Sequence, residues 1–340
     1  MVKRVTIDDV AALAGVHKGT VSRALNVATS HHVNAATVKR IQRAAKQLGY
    51  VPNVMARSLR TNLSMTVGVI VPDLTNPIFP PILRGIESQL LDRGYTALVA
   101  NTEGRESTER SAFESLLARR VDGFIIATGR EQHPLLAEAY ERGTKIVLVN
   151  RGSSEVPYPL VASEDAKGIA MAVEHLLELG HRSFAHIAGP AAFSTSRARR
   201  ESFLAAMARH PGVTSSIVQT DAFSVAAGED AMREILHAPG ERPTAVVAAN
   251  DLLAVGALRS LRQSGLDCPG AVSLVGFNDM PFTEDLSPAL TTIRIPMNTM
   301  GVEAGRLLME GISVGVQTPV NLLLPVSLVV RGSTGPAASQ

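Results

Sequence analysis

The sequence predicts an α/β chain with a three-helix, helix-turn-helix head and a two-lobed body of two parallel α/β lobes. Two observations predict this. Two short amphipathic helix patterns flank Gly15 near the N-terminus, and further on apolar runs separated by helical stretches recur roughly every 25–30 residues, twice over. The length supports both readings: 340 residues, 45% of them hydrophobic, allow about two or three domains at roughly 100–200 residues each.

The first helix pattern starts at Thr6, a cap residue. Acids follow in the first turn (Asp8, Asp9), with apolar residues at 7, 10, 13 and 14. Gly15 ends it, as a residue free to take positive φ. After Val16 and His17, a second helix is expected from Lys18 to Asn26. Val21, Ala24 and Leu25 face inward, and Lys18, Gly19, Ser22, Arg23 and Asn26 lie on the other side. Such a second helix enters the DNA major groove, where Arg and Lys donate to guanine or phosphate and Ser or Asn serve either. A third helix is expected from about Asn34, its cap, to Leu48. Its Lys39, Arg40, Arg43 and Lys46 could reach phosphates or be plain solvated charge. Residues 1–60 hold ten Lys/Arg against two acids, a net +8, which leaves −6 on the rest of a chain of net charge +2. A basic head on an acidic body points to a polyanion partner.

The ordered strings Val5 to Ala11, Ala14-Gly15-Val16 and Thr20 to Asn26 resemble the DNA-binding head of the LacI/GalR family of bacterial transcription regulators. Leu48 to Leu59, through Tyr50, Asn53 and Ala56, resembles that family's hinge. The resemblance implies a head that contacts DNA through Thr6, His17, Lys18, Gly19, Thr20, Ser22, Arg23 and Asn26. It also implies a hinge helix that contacts the minor groove with Tyr50, Asn53 and Ala56 and wedges Leu59 into a central base step. The unstacking, a few kcal/mol, is offset by a bent site that touches more protein. Leu59 as an ordinary linker residue is the alternative. The family usually has Ser where His17 stands, and Gly19 offers no side chain to a base edge and costs about 1 kcal/mol of helix propensity. The loop at 27–32 also looks longer than is common. Those departures leave the operator sequence open.

In the body, the first set of apolar runs is Val67–Val71, Ala97–Ala100, Gly123–Ala127 and Ile146–Val149. The second is Phe184–Ala188, Ser216–Gln219, Val246–Ala249 and Leu274–Phe277. Leu290–Ile295 and Leu322–Val330, on either side of a helix near Asn298–Glu310, read as crossings between lobes. Strings such as Val69 to Phe79, His175 to Arg182, Ala249-Asn250-Asp251 and Val275 to Asp279 resemble the periplasmic-binding-protein-like sensor of the same family. The expected organisation is therefore a head at 1–49, a hinge at 50–61 and a sensor at 62–340. Lobe 1 takes about 62–161 plus 292–322, and lobe 2 about 163–290 plus 323–332.

Open parallel sheets bind ligands beyond the carboxyl ends of their strands. That rule nominates Asn76 after the first run, Asn150 and Arg151 after the fourth, Asn250 and Asp251 after Val246–Ala249, and Asn278 after Leu274–Phe277. Each Asn could instead be only a cap. The resemblance places an effector-binding Arg at Arg199 and a stacking aromatic at Phe223, with Phe79 as a counterpart from the first lobe. Amides, one Arg and an aromatic face suit a sugar or sugar derivative. Many sugar-binding relatives carry Asp where Asn150 and Asn278 stand here, which leaves more room for an anionic ligand.

Several classes are excluded or disfavoured. No apolar run reaches the roughly 18 residues of a membrane helix, and the N-terminus lacks signal-peptide features, so a cytoplasmic chain is expected. One cysteine, Cys268, excludes an intrachain disulfide. No metal, cofactor or nucleotide fingerprint is visible. Gly311-Ile312-Ser313-Val314-Gly315 fits the G-x-S-x-G pattern, but a helix precedes it where a hydrolase needs a strand. A non-enzymatic repressor is expected, as a homodimer because no heptad tail follows. A transport-type sugar-binding protein is the rival reading, disfavoured by the basic head.

Overall fold

The computed structural model describes residues 5–25, 29–50 and 63–337, and its contacts part the chain between Ser64 and Met65. The first unit holds α1 (Ile7–Ala14), α2 (Lys18–Ala24) and α3 (Ala35–Leu48), with a short 3-10 turn at Ser30–His32. Each boundary has a local cause. Thr6 and Asp9 form a capping box: the Thr6 N–H donates to Asp9 Oδ2 at 2.8 Å, and the Asp9 N–H donates to Thr6 Oγ1 at 3.4 Å. Gly15 ends α1 in the left-handed region at φ 62°. His17 caps α2, its Nδ1 accepting from the Gly19 N–H at 3.2 Å. Asn34 caps α3 by accepting from the Ala36 N–H at 2.9 Å. The helices close over Val10, Ala14, Val21, Ala24, Ile41 and Ala45. In so small a core, caps worth about 1 kcal/mol each are a sizeable share of stability. Helix α2 ends at Ala24, with Leu25 as its cap, short of the expected end at Asn26, a residue that itself lies outside the described residues.

The second unit opens with β1 (Thr66–Val71), β2 (Thr96–Asn101), β3 (Phe124–Ile126), β4 (Ile146–Val149) and β5 (Leu160–Ser163). It continues with β6 (Ser183–Ala188), β7 (Thr214–Gln219), β8 (Ala245–Ala248), β9 (Ser273–Asn278) and β10 (Thr291–Arg294), and closes with β11 (Asn321–Leu324) and β12 (Ser327–Val329). Two six-stranded sheets result, in the orders β11-β5-β4-β3-β1-β2 and β12-β10-β9-β8-β6-β7. All neighbours are parallel except β12, which runs antiparallel to β10. The eight apolar runs are β1–β4 and β6–β9. Strand β5 was not among them: it has only four residues, ends in Ala162-Ser163 and follows Pro157 and Pro159.

Eight helices cover the sheets: α4 (Phe79–Leu91), α5 (Glu106–Ala118), α6 (Pro134–Glu141), α7 (Asp165–Glu178), α8 (Ser194–Ala208), α9 (Val225–His237), α10 (Asp251–Gln263) and α11 (Met297–Val314). Helix α11 packs backbone to backbone on α4. A Cβ on Gly301 would lie 1.9 Å from the Ile82 carbonyl oxygen, and one on Gly85 would lie 2.1 Å from that of Asn298. The chain passes between lobes three times, after β5, after β10 and after β11. The expected limits at 290–292 and 322–323 are therefore corrected. Thr291–Arg294 stays in the second sheet, paired in register with Val275–Asn278, and the first sheet keeps residues up to Leu324, paired with Ser163. The G-x-S-x-G string is the exit of α11, with Gly315 left-handed at φ 86°.

Candidate functional site

The head presents α2 with its apolar side down. Val21 and Ala24 are buried, while His17, Lys18 and Arg23 are exposed and Gly19, Thr20 and Ser22 half-exposed. One edge is therefore a polar ribbon of the kind that reads a major groove. Lys18 lies 3.7 Å from Asp8, but both are exposed, so the pair is worth little and the cation stays available. Thr6 spends its hydroxyl on Asp9, at 2.7 Å, and Tyr50 packs half-buried against the head core. Lys39, Arg40, Arg43 and Lys46 are exposed on α3. Asn26, Asn53, Ala56 and Leu59 lie outside the described residues.

In the second unit, Asn76, Ile78, Asn150, Arg151, Thr195, Arg199, Phe223, Asn250 and Asn278 converge on one narrow cleft between the sheets. The strand ends bring them there. Asn76 follows β1, Asn150 and Arg151 follow β4, Asn250 follows β8, and Asn278 ends β9. Asn150 sits at φ 67° and Asn278 at φ 115°, a region Asn tolerates better than most residues. Asn76 Oδ1 accepts the Ile78 N–H at 3.3 Å, and Asn250 Oδ1 caps α10 through the Leu253 N–H at 2.9 Å. Both are thus caps as well as cleft residues.

Arg199 is only 3% exposed. It donates to the Asp165 carboxylate at 2.9 Å and to the Ala249 carbonyl at 2.5 Å, over the Phe277 ring at 3.7 Å. Arg151 reaches from lobe 1 onto the lobe 2 rings of Phe193, 3.8 Å from its guanidinium carbon, and Phe223, at 5.5 Å. Burial, with the charges of Arg199 and Arg130 nearby, pushes its pKa down to about 9. Three polar contacts also join the lobes at the rim. The Gly152 N–H donates to Ser194 Oγ at 3.0 Å, the Glu131 N–H to the Ala192 carbonyl at 3.2 Å, and Arg197 pairs with Glu131 at 3.0 Å. Behind the cleft, burial raises the Asp251 carboxyl to about 7, although Thr292 and the Met280 N–H both donate to it.

Phe79 needs correction. It is fully buried in the core of lobe 1 at the start of α4, and the residue before it, Ile78, faces the cleft instead. The loop turns into a helix there, so neighbouring residues point apart. Thr195 was missed. It lies just inside α8, after the end of β6, where the strand-end rule applied to that strand would have found it.

The comparisons decide the family. Residues 6–53 match the model for bacterial regulatory proteins of the lacI family, and residues 173–334 that for a periplasmic binding protein-like domain. The ribose operon repressor of Escherichia coli (strain K12) is 33% identical over 96% of this chain and 99% of its own length. The chain belongs to the lacI family. It is a DNA-binding transcription repressor with a helix-turn-helix head and two parallel-sheet α/β lobes. The lac repressor dimer bound to operator and the anti-inducer ONPF superposes with a TM-score of 0.86, at 31% identity, over 98% of this chain and 100% of that one. A LacI family regulator from Enterococcus faecium with bound ribose matches 80% of this chain and 99% of its own, at a TM-score of 0.71 and 31% identity. Among the described residues, no helix is long and apolar enough to cross a membrane.

Proposed function

We propose that this lacI-family repressor is a cytoplasmic, non-enzymatic homodimer that holds a near-palindromic operator and is switched by a small polar effector, a sugar or sugar derivative, in the cleft between the lobes. One observation carries the effector reading: the polar side chains at five strand and loop ends meet in one cleft whose two walls belong to different lobes. A ligand there touches both walls, so it changes how the lobes close. The solved relatives with operator, anti-inducer or ribose support this reading. The transport-type alternative loses its ground once the head matches the lacI family.

Two recognition helices then meet two half-sites, and minor-groove hinge helices with Asn53, Ala56 and Leu59 join them to the sensors. Coupling is reciprocal: an effector that weakens operator binding tenfold is itself bound tenfold more weakly by the operator complex. A footprint of the full-length protein on DNA upstream of its own gene tests the operator half of the reading. Two protected half-sites with dyad symmetry are expected, with affinity that falls steeply as salt rises. No specific protection at low salt, with or without sugars, overturns it. In the same assay, Leu59→Ala is expected to lose affinity and operator bending together; unchanged bending defeats the wedge.

A further inference from the structure

The arginines around the cleft are not treated alike. Arg199 has a carboxylate, Asp165, and a backbone carbonyl. Arg130 has Glu106 and the Gly104 carbonyl. Arg151 is 5% exposed and has neither: among the described residues no oxygen accepts from its guanidinium, and its Nε, like that of Arg199, is buried without a partner. The faces of Phe193 and Phe223 attract the cation but do not replace an acceptor for its N–H groups. A buried cation without a counter-charge is costly to hold, and the two neighbouring arginines add to that cost.

The amides point the same way. The carbonyl ends of Asn76 and Asn250 are taken by backbone N–H groups, so their NH₂ ends remain for a ligand. Among the described residues no carboxylate lines the cleft. Donors and an unbalanced cation make a complement for an acceptor-rich, negatively charged group. We propose that the effector carries an oxyanion, a carboxylate or a phosphate on a hydroxylated body, and that Arg151 is the residue that binds it. The proposal rests on the cleft being the effector site. An oxyanion offers Arg151 the paired, planar acceptors that the protein withholds. It also draws the guanidinium off Phe223, which frees that ring for the carbon face of the ligand.

The test is titration calorimetry of the full-length protein at constant ionic strength with matched compounds: D-ribose against D-ribose 5-phosphate, and D-glucose against D-gluconate and D-glucose 6-phosphate. In at least one set, an anionic member is expected to bind tenfold or more tightly than its neutral parent. Arg151→Gln is expected to erase that preference. Arg151→Lys keeps the charge but not the fork, and is expected to retain part of it, which covers the case in which the Gln variant does not fold. Gluconate and the phosphates tell a carboxylate site from a phosphate site. Neutral parents binding as tightly as their anions, or a preference that survives Arg151→Gln, overturns the proposal. If a neutral sugar binds the wild type and Arg151→Gln equally, and more weakly after Asn250→Ala, the effector site stands and only the oxyanion falls. If no compound of either charge binds, both fall.

Discussion

The two walls of the cleft are built on sheets of matching strand order, apart from the direction of β12, and are finished differently. The lobe 2 wall has its charge paired: Arg199 is held by Asp165 and Ala249, although its Nε has no partner, and Asn250 is fixed as the cap of α10. The lobe 1 wall offers Asn150 on a left-handed backbone and Arg151 with no acceptor of its own, resting on rings that belong to the other lobe. On the proposed reading, the wall whose charge is already paired is the anchor, and the wall that rests across the gap is the half that responds to effector.

The largest expected effect breaks the anchor. Asp165→Ala leaves Arg199 buried and unpaired, and a loss of about 3–5 kcal/mol in urea unfolding is expected. The double change Asp165→Leu with Arg199→Met is expected to recover most of it, because the cost lies in the stranded charge. A middle-sized effect compares the two walls directly. Asn250→Ala removes a helix cap and is expected to cost about 1 kcal/mol as well as effector affinity. Asn150→Gly suits the left-handed backbone, so effector affinity is expected to fall at nearly unchanged stability. If both variants lose stability equally, the walls are not different in kind. The smallest effect concerns the rim. Glu131→Gln removes the Arg197 contact, in which Arg197 is 54% exposed, and a change of under about 1 kcal/mol that shrinks further in salt is expected.

Much of this was legible before any coordinates. Strand ends in a parallel sheet are fixed by topology, so Asn76, Asn150, Asn250 and Asn278 were reached from apolar runs alone, and all four line the cleft. The helix-turn-helix was legible because caps and the glycine turn are local signals. What failed needed either the register of a helix start or contacts distant in sequence. Phe79 and Ile78 exchange roles because the helix start sets which neighbour turns inward. Strand β5 is pinned by β4 and β11 rather than by its own four residues. The pairing of Arg199 with Asp165 spans 34 residues, so no short window of sequence could tell the arginine with a carboxylate from the one without.

The triple passage of the chain between lobes also governs how the protein is made. Lobe 1 contains β1 to β5, yet its sixth strand, β11, and the helix that seats on α4 come from residues after 296. As the chain leaves the ribosome, β5 therefore emerges with one edge bare, and it stays bare while all of lobe 2 through β10 is synthesised. Residues 85 and 301 must then find each other with less clearance than a methyl group would need. Such late, long-range closure is slow and leaves an open sheet edge exposed to other nascent chains. Docking of residues 297–324 therefore completes the first lobe only after lobe 2 has been made through β10.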